Sequence, residues 1–395
     1  MPQTQNLIKL DLLTWCAYHY KPMEKTINTS TLKATLAGLG WTQKRLAEEI
    51  GVTSQAVTNW LQGNDFPRPD KLLKLATTLK LNFDQLVSSS VKPPIVAFRK
   101  KGGAKTTEQH VLKALAMGVM LKPLVQYLPA QRALRTQIPA PSTDYEALQS
   151  VVADVRDKLG IGMQAVLQYQ HLFGEFEIND AVIVPVLWGH KQRHENALHI
   201  LLQEENVTFI YLNLDTHLED FKFWMAHELA HVYTPNLAGT DDGEDFADAF
   251  AGALLFPRQL AESAYADTTH KTNKTGQIEV LSKYARDHKI SLFSVYREVI
   301  NFAQANNFGE LKATDQDIHA VRNNMRDALV SEALFKPLPP DPTAYVAATH
   351  NVFKSSFFIA LQRMLRERGT AIGYIQQVLD VSLRDATALH VELLK

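Results

Sequence analysis

The chain has 395 residues, 46% of them hydrophobic and 21% charged, with a formal net charge of −1, which gives room for two or three domains with ordinary cores. That balance excludes a chain disordered throughout. It also lacks both a run of about eighteen apolar residues and a basic leader with an apolar core, so neither a membrane span nor a secretory signal is expected, and the protein should stay in the cytoplasm. Cys16 is the single cysteine, which excludes an internal disulfide and a cysteine-based zinc site.

Residues 1–30 read as an N-terminal extension, with a short amphipathic helix between Leu7 and Tyr20 and no function assigned. From Thr31 the pattern becomes one of short helices separated by turns. Thr31 to Leu39 ends at Gly40, Gln43 to Ile50 is capped by Thr42 and ends at Gly51, and Gln55 to Leu61 is capped by Thr53 or Ser54. Asp70 to Leu79 and a short piece near Phe83 to Leu86 complete five helices. Within them, TQKRLAEEIGVTSQAVTNWLQG joins two helices through a tight glycine turn, with Leu46, Ala47, Ile50, Val52, Val57 and Leu61 as its internal contacts. Gln43, Ser54, Gln55, Thr58 and Asn59 then face outward, short hydrogen-bonding side chains suited to base edges and phosphates in a major groove. Between Thr31 and Lys105, twelve basic residues stand against five acidic ones. A positive module on a near-neutral chain suits double-stranded DNA as a partner; the plainer alternative is a docking or dimerisation bundle whose charges are merely solvated. Residues 31–90, and above all WLQGNDFPRPDKLLKLATTL, resemble the lambda-repressor and Cro (XRE) type of helix-turn-helix domain. The resemblance implies that those five polar residues contact DNA, and that a homodimer binds paired half-sites of an operator.

Residues 91–144 read as a linker and helical connector. KPPIVAFRKKGGAK carries paired prolines, paired glycines and a basic cluster, with Ile95 to Phe98 as a short strand. Glu108 to Leu128 and Tyr145 to Leu159 are amphipathic helices, joined loosely by Pro129 to Ser142. Asp180 to Leu187, Ala197 to Leu202 and Val207 to Leu212 are rich in β-branched and aromatic residues and predict strands, the last two forming a hairpin through Glu204 to Asn206. The expected fold is multidomain and mainly α, with an α+β core in which a small sheet shelves one side of a cleft.

The most informative stretch is Phe223 to Pro257. His227, Glu228 and His231 form an H-E-x-x-H; on a helix the two imidazoles lie about one turn apart on one face and can grip one metal ion. Glu228 projects from the neighbouring face as the candidate general base. The motif alone is a weak signal, but Met225, Ala226, Leu229, Ala230 and Val232 would bury it, where two histidines and a glutamate need a reason. Glu244 opens a second helix, Glu244 to Phe256, and is the candidate third ligand. Asp248, four residues on, can fix a histidine tautomer from behind. The loop Thr234 to Gly243 has the turn residues that bring the two helices side by side. A degenerate, purely structural site is the blander alternative.

The order of a short sheet with a strand ending IYLN, a helix bearing HELAH, then E-x-x-A-D-x-F-A-x-x-L-L-x-P, resembles the ImmA/IrrE family of zinc metallopeptidases over residues 145–305. The resemblance implies one Zn2+ per chain held by His227, His231 and Glu244, with Glu228 as base, and Asp248 where that family has Asn or Asp. Family members are associated with cleaving a helix-turn-helix repressor and so relieving repression during stress, DNA damage or prophage induction. The expected function is a DNA-binding regulator with a zinc endopeptidase domain acting on a repressor or antitoxin, or on itself. The alternative is a non-catalytic transcription factor or antitoxin using the metal-binding fold as sensor or dimer scaffold. An oxyanion donor is not evident, although Tyr233 is near in sequence. Downstream, Gln277 to His288 and Ser291 to Asn306 predict paired helices. Residues 306–395 read as a helical C-terminal domain with a proline-rich loop at Phe335 to Pro342, and His270, His319, His350 and His390 are scattered rather than ligating.

Overall fold

The computed structural model describes residues 25–62, 64–89, 93–98, 108–130, 135–189, 197–324 and 328–395. The Leu7 to Tyr20 helix and the basic run Lys100 to Lys105 expected from the sequence lie outside them. The chain divides into two compact units, Met1–Lys92 and Pro93–Lys395.

In the first unit, side-chain caps and glycines set the helix ends. The Asn28 side chain accepts from Thr31 N at the start of α1 (Thr29–Leu39), and Gly40, with φ of 64°, closes it in a conformation that favours glycine. Thr42 caps α2 (Gln43–Ile50), which Gly51 ends in the same way. Thr53 Oγ1 accepts from Ala56 N at 3.2 Å before α3 (Ser54–Gln62). α4 (Pro69–Leu79) opens on a proline, which gives up no hydrogen bond there, and Asn82 caps α5 (Phe83–Leu86). Leu32, Leu46, Ile50, Val57, Leu75 and Leu86 are wholly removed from water in the core, each contributing on the order of 1.5–3 kcal/mol relative to exposure. β1 (Lys25–Ile27), which has no counterpart among the expected elements, pairs antiparallel with β2 (Val87–Ser89), Lys25 opposite Ser89. This pairing ties the start of the bundle to its end.

The second unit is built on a four-stranded sheet of β3 (Ile95–Phe98), β4 (Ala181–Val186), β5 (Ala197–Leu202) and β6 (Val207–Asn213), in the order β3-β5-β6-β4. β5 is antiparallel to both neighbours, while β4 runs parallel to β6. Every residue of β4, β5 and β6 is buried, because helices cover both faces. That explains their continuous apolar runs in place of alternation. α6 (Glu108–Leu121) tightens into a 3₁₀ turn at Lys122–Tyr127, where the sequence suggests one helix to Leu128. α7 (Tyr145–Lys158) is followed by α8 (Tyr169–Ile178), which sequence reading did not find.

α9 (Leu218–Tyr233) carries Glu219 and Asp220 in its first turn, where acids complement the helix dipole, and is buried nearly all round from Phe221 onward. α10 (Asp241–Leu255) starts three residues earlier than the sequence suggests, because Thr240 accepts from Gly243 N at 3.0 Å and the acids Asp241, Asp242 and Glu244 fill its first turn. Phe246, Ala247, Phe250, Ala251, Leu254 and Leu255 bury its inner face. Its far end is held by the fully buried Arg156, which donates to Leu254 O and Gly162 O, both at 2.7 Å, and to Ala165 O. α11 (Arg258–Thr269), α12 (Lys274–His288), α13 (Leu292–Ala305) and α14 (Asp315–Asn324) follow.

Residues 306–395, set apart as a domain in the sequence, share the core of the second unit. α15 (Val330–Leu334), α16 (Pro342–Asn351), α17 (Phe357–Arg368), α18 (Ile372–Leu379) and α19 (Leu383–Leu394) complete the chain. Tyr211 of β6 donates to Val378 O at 2.8 Å, Tyr345 and Ser355 donate to carbonyls of β4, and Trp188 donates to Leu379 O at 3.0 Å. No helix of the described residues is long and apolar enough to cross a membrane.

Candidate metal centre and nucleic-acid face

α9 and α10 pack side by side, and the residues singled out on them converge. His227 and His231, one turn apart on α9, turn their Nε2 atoms toward each other and toward Glu244 in the first turn of α10. One donor atom from each lies within 4.8 Å of the others. The separations are 3.1 Å between the two Nε2 atoms, 3.3 Å from His231 to Glu244 Oε1 and 3.5 Å from His227 to Glu244 Oε2. They straddle the roughly 3.3 Å edge expected of a tetrahedron with zinc–ligand bonds of about 2.0–2.1 Å. Three donors on one face of such a tetrahedron leave a fourth position open, so the residues fit a catalytic type of zinc site.

Electrostatics favour a cation in the same place. Burial opposes a charge on His227, but the Asp248 and Glu244 carboxylates outweigh it and hold the imidazole up at about 9. Burial pushes His231 down. Burial alone would raise Glu244, yet the hydrogen bonds from both imidazoles hold its carboxyl at about 2. The cluster therefore keeps one carboxylate ionised and accepts one positive charge between two inward-facing nitrogens. Asp248 Oδ1 lies 2.9 Å from His227 Nδ1. With the proton on Nδ1, the ring donates to Asp248 and presents the Nε2 lone pair to the cluster. Both imidazoles are 1% exposed, whereas the Glu244 and Asp248 side chains are 27% and 47% exposed, so the cluster opens to solvent along α10.

Glu228 is buried, and its Oε2 makes no hydrogen bond among the described residues. A carboxylate in that position costs stability unless something polar joins it. A polar neighbour of Glu228 was missed in the sequence: His199, in the middle of β5, whose Nδ1 lies 3.3 Å from Glu228 Oε2. The His199 ring also packs edge-on against His231 at 5.4 Å. The one signal available was a histidine inside the otherwise apolar strand ALHILL. Tyr233 is excluded as a group facing this cluster: its hydroxyl donates to Glu175 Oε2 at 2.5 Å, in a buried network with Lys158 and Asn179. Two residues after His231, a side chain points about 200° around the helix, to the opposite face.

On the first unit, α2 and α3 bring the outward-facing polar residues together. Thr58 donates to Gln43 Oε1 at 2.9 Å, linking the two helices, and Gln55 Nε2 donates to Asn59 Oδ1 at 3.0 Å. Gln43, Ser54 and Gln55 are exposed, Thr58 and Asn59 half-buried. Lys44 and Arg45 follow Gln43 on α2, and Arg45 stacks on Trp41 at 4.7 Å.

Comparison with known proteins agrees with this division. Residues 32–86 match the helix-turn-helix family, and residues 189–299 match the family described as the IrrE N-terminal-like domain. No curated protein and no solved structure matches the chain at a significant level. The two family matches give the chain the architecture of a helix-turn-helix domain of the DNA-binding kind fused to an IrrE-like, protease-type domain.

Proposed function

We propose that this chain is a DNA-binding transcriptional regulator carrying a zinc-dependent endopeptidase site, in which cleavage of a repressor, an antitoxin or the chain itself controls a stress-type response. The observation that carries the reading is the triangle of His227, His231 and Glu244, with the buried carboxylate of Glu228 beside it. A zinc ion held there would supply Lewis-acid polarisation of a water and of a substrate carbonyl. The protein's own groups do the rest. Asp248 orients His227, Glu228 takes the proton of the attacking water and returns it to the leaving amine, and His199 holds Glu228 in position. Gln43, Ser54, Gln55, Thr58 and Asn59 read DNA, with surrounding lysines and arginines on the phosphates, and a homodimer would place two such faces on an operator.

The test is Glu228→Gln. The purified variant should keep one zinc per chain by elemental analysis and lose cleavage of helix-turn-helix repressors and of unfolded casein by at least about 100-fold, the scale of a general base. Retained cleavage would remove Glu228 from the role. The second reading, a non-catalytic regulator using the metal as sensor or scaffold, is favoured by the near-complete burial of His227, Glu228 and His231; stoichiometric zinc without cleavage by the unsubstituted chain would select it.

A further inference from the structure

A hydrolase of polypeptide must hold an extended segment beside its catalytic groups, and a sheet edge does so with main-chain hydrogen bonds. β5 carries His199 and lies nearest the cluster. One of its sides is paired with β6; the other is taken by β3, a strand from the segment that joins the two units.

The register shows how β3 lies on that edge. Ile95, Val96 and Ala97 stand opposite Leu201, Ile200 and His199. Residues directly opposite in an antiparallel pair share a face, so Ala97 and Ile95 lie on the face of His199, the face toward Glu228 and His231. Ala97 therefore runs about 4.8 Å, one strand spacing, from the His199 backbone. The loop between the two ligand-bearing helices closes over β3 from the same face. A Cβ at Gly239 would sit 3.0 Å from Ile95 Cγ2 and 3.3 Å from Val96 O, and Gly239 has φ of +76°. On the opposite face, Gly118 of α6 packs against Pro94 and Ile200, and Gln203 Nε2 donates to Pro93 O at 3.0 Å. An extended, proline-led strand with a small residue opposite His199 is thus clasped between β5 and the α9–α10 loop.

Resting on the endopeptidase reading above, we infer that the side of β5 now paired with β3 is the peptide-binding subsite, that its ligand is an extended aliphatic polypeptide with a small residue opposite His199, and that Pro93–Phe98 is its resident occupant. An outside polypeptide must displace β3. β3 thereby gates the site.

The test uses the full-length, zinc-loaded Glu228→Gln chain, so that bound peptide survives, and a fluorescent peptide PPIVAFRK, the sequence of residues 93–100. Val96→Pro removes a β3 backbone donor; it should tighten peptide binding by about tenfold or more, because a competent edge is then populated more often. Where that variant folds poorly, a reversible lock serves: Val96→Cys with Ile200→Cys in a Cys16→Ser background, cross-linking register partners on the face away from the cluster. The oxidised form should fail to bind the peptide, and reduction should restore binding. Equal binding by oxidised and reduced forms overturns the proposal. Casein hydrolysis by the same lock with Glu228 intact separates the two readings. Casein intact in every form, with peptide binding that follows the lock, defeats the endopeptidase reading and leaves this one standing. Casein cleaved equally in both redox forms does the reverse.

Discussion

A single buried carboxylate away from the His227, His231 and Glu244 cluster sets a pH dependence for the second unit. Glu298 on α13 lies wholly inside, its Oε1 accepting from Asn301 Nδ2 at 3.1 Å, and Gly252 of α10 leaves room for it: a Cβ there would meet that oxygen at 2.3 Å. Burial pushes its carboxyl up to about 8 from an ordinary 4.5. The folded state thus keeps a proton that the unfolded state releases above about 4.5. The group is neutral in both states at lower pH, and its cost to stability grows as pH rises from there to about 8. At about 1.4 kcal/mol per unit, the upper limit is a few kcal/mol. Glu298→Gln should raise stability at pH 8, leave pH 5 nearly unchanged and flatten the slope in urea unfolding; an unaltered slope would show that Glu298 is ionised in the fold. Asp248→Ala tests a different link. With its side chain half exposed, its loss should spare the thermal midpoint but weaken zinc by about 10–100-fold in chelator competition, the usual effect of removing a ligand's orienting partner. His227, Glu228, His231, Glu244 and Asp248 could be placed near one another from sequence because helical spacing and one short turn connect them. His199 could not, since 28 positions of strand, hairpin and loop separate it from His227 and only sheet-on-helix packing closes the gap.

At the scale of elements, the turn between α9 and α10 decides whether the third donor arrives. Gly243 sits where a Cβ would meet Leu237 O at 2.2 Å, an atom of the backbone that cannot rotate away. Gly243→Ala must therefore shift the start of α10, and Glu244 follows directly in the chain. A destabilisation of about 1–3 kcal/mol, the usual range for overpacking, is expected together with weaker zinc binding. Calorimetry with and without zinc measures both, and an unchanged zinc affinity would mean that the helix start yields without moving Glu244. Cap chemistry made most of α1 to α5 legible, because Thr42, Gly40 and Gly51 announce their ends. α8 and α11 gave too little contrast. In α8, Leu172, Phe173 and Phe176 alternate with Gly174 and Glu175, and α11 buries mainly Leu260 and small alanines. β3 could be read as a strand, but its pairing with β5 lies a hundred residues away and has no local signature.

For the whole molecule, the two units differ in that one carries the cluster of His227, His231 and Glu244 and the other does not. The boundary inside residues 93–395 was misleading in sequence: the prolines from Pro337 to Pro342 look like a linker, yet Tyr345 beyond them bonds to β4 and Phe357 and Leu361 are sunk in the common core. A ligand that binds only the folded form stabilises the cooperative unit that holds it, by about 2.7 kcal/mol at a hundred times its dissociation constant. The two helices that carry His227, His231 and Glu244 share a core with α15 to α19, so zinc should stabilise all of residues 93–395 together and leave Met1–Lys92 untouched. Scanning calorimetry of the full chain should then show two transitions, and a chelator should lower one of them while the other, and DNA binding measured at the same salt, stay where they were. If chelation moved both transitions equally, the two cores would be unfolding as one, and the independence of the DNA-binding unit would be wrong. If instead a third transition appeared on chelation, the C-terminal helices would have come loose, and their shared core would be weaker than the buried contacts of Tyr211, Trp188 and Tyr345 imply.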